Sequence, residues 1–194
     1  MSHELRAYAR TLARSLDELL DMNTLLREDI NCLLDKFDSD WASQTFRRLV
    51  VRACWSHIEA VVFGLKQISL TAQNLGSGDI SGKTRAFLEE RQIVVNTVGD
   101  ATIISVRADT IKNVKLTLKL AARLFDVSWQ PQFSGSEWPL FRESVQIRHR
   151  ITHPKSLKEL EITDDEYDSH KTAYLWFTGG FTRFLESMLS KHGA

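Results

Sequence analysis

Cysteine is nearly absent: the 194 residues contain two, Cys32 and Cys54, and no CxxC pair. That excludes a disulfide framework and a cysteine-based zinc or redox motif, and leaves two thiols expected to be buried and reduced. Proline is as scarce, with three in the chain, while 43% of the residues are hydrophobic. A disordered or low-complexity chain is thereby excluded. No uninterrupted apolar run approaches the ~18 residues that a membrane span needs. The start, Met1-Ser2-His3-Glu4-Leu5-Arg6, has an early acidic residue and lacks the apolar segment of a secretory signal. No membrane contact is expected, and the expected location is cytoplasmic. Excess charge is also missing, because 25 Lys and Arg balance 25 Asp and Glu. A neutral chain has no overall attraction for polyanions, so any nucleic-acid contact must come from a local patch.

What is present is helix. Leu5, Ala9, Leu12, Leu16, Leu19, Asn23, Leu26, Ile30, Leu33 and Phe37 recur in steps of four and three, predicting an amphipathic helix over roughly residues 3–37. Asn23 shares that stripe, where a polar residue can fix register. The stripe suits a dimer seam or the next helix, and the short connection favours the next helix. Asp38-Ser39-Asp40 offers an N-cap for a second helix reaching about Leu75, with Leu49, Ala53, Ala60, Phe63 and Leu65 as its expected core. Arg47, Arg48 and Arg52 make its first half basic. Gly76 through Gly82 breaks the chain ahead of a short helix at about 83–91. The β-branched stretch Ile93–Val106 around Gly99-Asp100 reads as a small β-hairpin. Further helices follow at about 110–125, carrying Lys112, Lys115, Lys119 and Arg123, and at about 136–152. Thr163-Asp164-Asp165-Glu166 is a capping box that opens the last helix. Tyr174, Phe177, Phe181, Leu185 and Met188 form its stripe, and Gly179-Gly180 is expected to allow another backbone close by, or a kink. The expected fold is an all-α helical bundle with a long antiparallel N-terminal helix hairpin and a small β-hairpin insertion, in one domain of residues 1–194.

Chemistry concentrates in Ile147-Arg148-His149-Arg150-Ile151-Thr152-His153-Pro154. An arginine can hold phosphate oxygens in a planar fork and a histidine can move a proton near neutral pH, a pairing suited to a phosphodiester. Spacing alone is weak, since Arg52 to His57 and Arg142 to His149 also fit an arginine followed by a histidine. Within a helix, the five-residue step from Arg52 to His57 turns the side chains about 140° apart. Arg148 and His153 differ, because Pro154 disfavours helical geometry at His153 and frees the imidazole to swing towards the arginine. The helix C-terminus also favours a cationic histidine, which helps a proton donor. His149 and His153 have the spacing of two metal ligands, but the zinc-protease pattern needs a glutamate where Arg150 stands. No metal or other cofactor is expected. The plainest alternative is a solvated basic helix end whose histidines cap carbonyls. His170 is read as a packing or capping residue, and the acidic stretch Glu159–Asp168 as a solvated loop or a partner surface.

The segment Arg148-His149-Arg150-Ile151-Thr152-His153-Pro154 resembles the signature of the HEPN superfamily (higher eukaryote and prokaryote nucleotide-binding domains). The long helix pair, Ser56-His57-Ile58-Glu59-Ala60 within it, the helix ending in Phe125, and Trp138 also resemble the family. The family most often has Asn or Asp after the arginine, where this chain has His149. The resemblance implies a metal-independent endoribonuclease acting on RNA, of the kind found in toxin–antitoxin and antiphage systems. It further implies a homodimer with a composite active site and an antitoxin protein as partner. Arg148 and His153 would be the catalytic pair and His149 an accessory polar group. Arg150 and Lys155 would contact the RNA backbone. The alternative is a HEPN-like module that binds a nucleotide, RNA or a protein without catalysis. A third reading is a structural subunit that pairs through its N-terminal hairpin.

Overall fold

The predicted stripe from Leu5 to Phe37 forms one continuous helix, α1 (His3–Phe37). In the computed structural model it is followed by α2 (Gln44–Asn74), α3 (Gly82–Leu88), β1 (Arg91–Val95), β2 (Ala101–Ser105), α4 (Thr110–Leu124), α5 (Glu137–Thr152), a 3-10 turn at Leu157–Leu160, and α6 (Asp164–His192). The structure describes residues 3–37, 42–75, 80–95, 97–98, 100–105 and 109–192. The architecture is all-α with one small antiparallel β-hairpin. The expected cap at Asp38-Ser39-Asp40 and the hairpin residue Gly99 lie outside the described residues. The chain divides into two compact units; two of the three cuts fall inside long helices, after Leu19 in α1 and after Val61 in α2, and the third follows Ser128 in the loop between α4 and α5.

One unit holds α1 up to Leu19 and the stretch Val62–Ser128. Leu19 reaches Gly64 so closely that a Cβ on Gly64 would lie 2.5 Å from Leu19 Cδ1. Glycine there lets the two helices approach. Ile80, Leu88, Leu120 and Leu124 form a core with Leu70 and Phe87 against it. Lys66, only 1% exposed, is tied to Glu90 at 2.9 Å and lies 4.5 Å from the Phe87 ring centre. A lone buried ammonium would be costly, and this carboxylate and ring face compensate it. Glu90 itself takes a left-handed φ of 53°, at the bend from α3 into β1. Ser81 caps α3 by accepting from Thr84 N–H, and Asp109 caps α4 by accepting from Lys112 N–H. The strands pair Arg91 with Ser105 through Val95 with Ala101.

The other unit holds Leu20–Val61 and the chain from Trp129 onward. Here α1 and α2 run antiparallel: Ile30 packs with Val50 and Cys54, and Asn23 meets His57. Asn23 does what a polar residue on the stripe was expected to do. Its Oδ1 lies 2.9 Å from His57 Nε2, and Tyr174 Oη on α6 lies 2.8 Å from His57 Nδ1. The amide oxygen only accepts, so Nε2 carries the proton and the tyrosine hydroxyl donates to Nδ1. Aromatic rings fill the space between α5 and α6: Trp138 stacks on Phe141 at 5.4 Å, and Trp176 lies 5.2 Å from Phe141. Gly180 of α6 faces the Trp129 ring, 3.4 Å from a Cβ position, which is ordinary van der Waals contact.

The start of α6 is fixed from both sides. Thr163 Oγ1 accepts from Glu166 N–H while Glu166 Oε2 accepts from Thr163 N–H, completing the expected capping box. Gln44 brackets Ile162 by donating to its carbonyl and accepting from its N–H. The buried Arg47 donates to the same carbonyl and to Asp164.

Two expectations are corrected. On α2, Leu49 and Phe63 are 40% and 52% exposed, and the buried face is instead Val50, Val51, Cys54, Trp55, Ile58 and Val61, continuing as Val62, Leu65, Ile68 and Ala72. Apolar residues occupy more than half of this helix's circumference, so the pattern alone admits a face rotated by one position. Of the two cysteines, Cys54 is buried but Cys32 is exposed, because residue 32 falls beside the α1 stripe rather than on it.

Candidate active site at the end of helix α5

Helix α5 is anchored by Trp138, Phe141, Val145, Ile147 and Ile151, all buried. The residues between the anchors in its last turn carry the chemistry. His149, His153 and Lys155 are exposed, and Arg148 and Arg150 are half-buried. The helix stops at Thr152, as the proline required: His153 has φ −127° and ψ 58°, and its N–H still donates to His149 O. Its imidazole lies against His149, with ring centres 5.4 Å apart, rather than swinging to the arginine.

Helix α2 grips this turn at two points. Arg52 Nη2 donates to Ile151 O at 2.8 Å, taking up a carbonyl that the helix end leaves unpaired. Glu59 Oε1 accepts from Arg148 Nη2 at 2.6 Å. Arg52 and Glu59 are seven residues apart, two helical turns, so both project from one face of α2. His57 points the other way and is buried, as the five-residue step implied.

Arg150 and Lys155 are placed differently. Arg150 Nη2 donates to Glu161 O and to Glu166 Oε2, both at 2.9 Å, which joins α5 to the capping box of α6. The Lys155 N–H donates to Glu159 Oε2 at 2.7 Å, and its side chain is exposed. Three acidic residues of the stretch after the motif are therefore engaged with the basic segment before it.

Two other histidines lie deeper. Burial pushes both His57 and His170 down to about 4, helped at His57 by the charge of Arg27. Ser144 Oγ accepts from Trp55 Nε1 at 3.1 Å and is hydrogen-bonded to His170 Nδ1 at 2.7 Å. His170 Nε2 has no hydrogen-bond partner among the described residues. A cavity of about 250 Å³ opens nearby in the same unit, floored by Ile30, Val50 and Cys54 and walled by Tyr167 and Tyr174, with Arg27 exposed at its lining. Burial also pushes the Cys54 thiol up to about 12.

Among the described residues, no group of three His, Cys, Asp or Glu is arranged to hold a metal ion, and no helix is long and apolar enough to cross a membrane.

No family model, curated protein or solved structure matches the chain.

The site therefore has to be read from its chemistry. It combines the Arg148 guanidinium, the neighbouring imidazoles of His149 and His153 and the accessible Glu59 carboxylate around a helix end. Sequence reasoning reached Arg148, His149 and His153 but gave Glu59 no role. The available signal was its position two turns after Arg52 on the basic half of α2.

Proposed function

We propose that the chain is a metal-independent endoribonuclease of the HEPN type, cleaving RNA by attack of the 2′-OH on the adjacent phosphorus. The observation that carries this reading is the helix end itself: α5 stops at Thr152 with Arg148, His149 and His153 on its last turn, accessible and backed by α2. RNA carries its own nucleophile, so the protein need only orient it, move protons and neutralise charge on the phosphate oxygens. Arg148 binds the scissile phosphate with the N–H donors that Glu59 leaves unused. His153 exchanges protons, with His149 as accessory polar group. Arg150 and Lys155 extend the positive surface towards the RNA backbone, and binding weakens as salt rises. The reading includes a homodimer with a composite site, a cytoplasmic setting, a role as a toxin or antiphage effector, and an antitoxin protein as its silencing partner.

The test is cleavage of structured and unstructured RNA in EDTA by the wild type beside Arg148→Ala and His153→Ala. Wild-type cleavage that leaves a 2′,3′-cyclic phosphate, lost in both variants, is the expected result. Equal cutting by all three proteins refutes the proposal. The cavity lined by Arg27, Tyr167 and Tyr174 favours a second reading, a module that binds a small ligand without turnover. Binding that is insensitive to His153→Ala, with no cleavage, would select it.

A further inference from the structure

Transesterification by the 2′-OH moves two protons, one off the attacking oxygen and one onto the leaving 5′-oxygen. The motif on α5 supplies one suited group for the second task, the exposed imidazole of His153, which can donate a proton. His149 is badly placed for the other task. Its ring lies beside that of His153, 5.4 Å between centres, whereas attacking and leaving oxygens stand on opposite sides of phosphorus in an in-line displacement. A base next to the acid faces the wrong oxygen.

Glu59 is the other group at the motif that can take a proton. It arrives from a different helix, is 48% exposed, and touches Arg148, which is 27% exposed. Only Oε1 is engaged with Arg148, so Oε2 is left to accept a proton. A phosphate held by the remaining donors of Arg148 would be brought next to this carboxylate. Arg148 is the charged group that faces Glu59 from α5, and Arg52 is its charged neighbour on the same face of α2.

We propose that Glu59 is the general base of the reaction, an inference that rests on the ribonuclease reading. The Glu59 carboxylate takes the 2′-OH proton as the 2′-oxygen forms its bond to phosphorus. The bond from phosphorus to the 5′-oxygen breaks, and His153 gives its proton to that oxygen. The products are a 2′,3′-cyclic phosphate and a free 5′-OH, with one proton gained by Glu59 and one lost by His153. No oxidant, metal or co-substrate enters.

The test compares wild type, Glu59→Gln and His153→Ala on an RNA with an ordinary 5′-oxygen and on one with a bridging sulfur at that position. Glutamine keeps an oxygen for Arg148 but cannot serve as a base at neutral pH, so a purely positioning role would survive the change. Thiolate leaves without needing a proton, so the sulfur substrate bypasses the acid. The expected result is a kcat loss of about 10²–10⁴-fold for Glu59→Gln on both substrates. His153→Ala should be slow on the oxygen substrate and near wild type on the sulfur one. Glu59→Gln cutting within about threefold of wild type, or being rescued by sulfur as fully as His153→Ala, overturns the assignment and leaves the nuclease reading standing. A wild type that cuts neither substrate overturns both.

Discussion

Acidifying the protein from pH 7 to pH 5 should remove a large part of its stability, because two of its six histidines are buried as neutral rings. Burial lowers both His57 and His170 from 6.5 to about 4. In the unfolded chain they take up protons at the ordinary value, so between these limits the unfolded state binds more protons than the folded one. Stability is therefore complete above about pH 6.5 and falls as the pH drops towards 4. Integrating between pH 7 and pH 5 gives a loss of about 2 kcal/mol per ring, or about 4 kcal/mol for the pair. That is a large share of the ~5–15 kcal/mol that holds a typical fold together. Most carboxylates titrate below about pH 5, so this window isolates the histidines. Urea unfolding followed by circular dichroism at pH 7, 6 and 5 measures the effect. Substituting His57 by Gln should flatten the pH slope by about half, whatever it does to stability at pH 7. Proton NMR of the imidazoles gives the direct check. Six rings titrating near 6.5, or a pH slope unchanged by the substitution, would refute the argument.

Gly64→Ala pushes a methyl onto Leu19 Cδ1, an overpacking of about 1–3 kcal/mol against roughly 1 kcal/mol gained in helix propensity. In a Leu19→Ala background the same change should turn stabilising; the same sign in both backgrounds would sink the packing account. Arg47→Met strips two hydrogen bonds from the start of α6 and should cost about 1–3 kcal/mol by urea unfolding. A thiol titration should count one reactive cysteine in the native protein, Cys32, and two in urea, because Cys54 is buried with its thiol pushed up to about 12. Two fast thiols in the native state would contradict that burial.

The fold was legible wherever a local rule is strong. The stripe of α1, the capping box at Thr163 and Glu166, the hairpin and the stop before Pro154 all depend on neighbours within a few residues, and each is found close to its predicted place. The face of α2 was not legible, because Leu49 and Phe63 are as apolar as the Val50 and Val62 beside them, and only the partner helices decide which are covered. The division into two units was hidden for another reason. Two of the three cuts run through helix interiors, and Gly64, three residues past the second, lies within a helix that continues to Asn74. At the site, Arg148, His149 and His153 are close in sequence and were visible as a cluster. Glu59 lies 89 residues from Arg148, and the partners of His57 and His170 lie in other helices. Such pairings come from the way helices are stacked, which periodicity describes only one helix at a time.

The contact of Asn23, His57 and Tyr174 has a consequence for how this chain can vary. Both ring nitrogens are used, one by a group that only accepts and the other by a hydroxyl that donates. Replacing any one member strands a buried donor or acceptor, at about 1–3 kcal/mol. Replacing all three by well-fitted apolar residues strands nothing. Single steps along that route are closed while the triple step is open, so the three positions should drift together or hardly at all. Although 34 and 117 residues separate them, a change at one should be tolerated only with compensating changes at the other two.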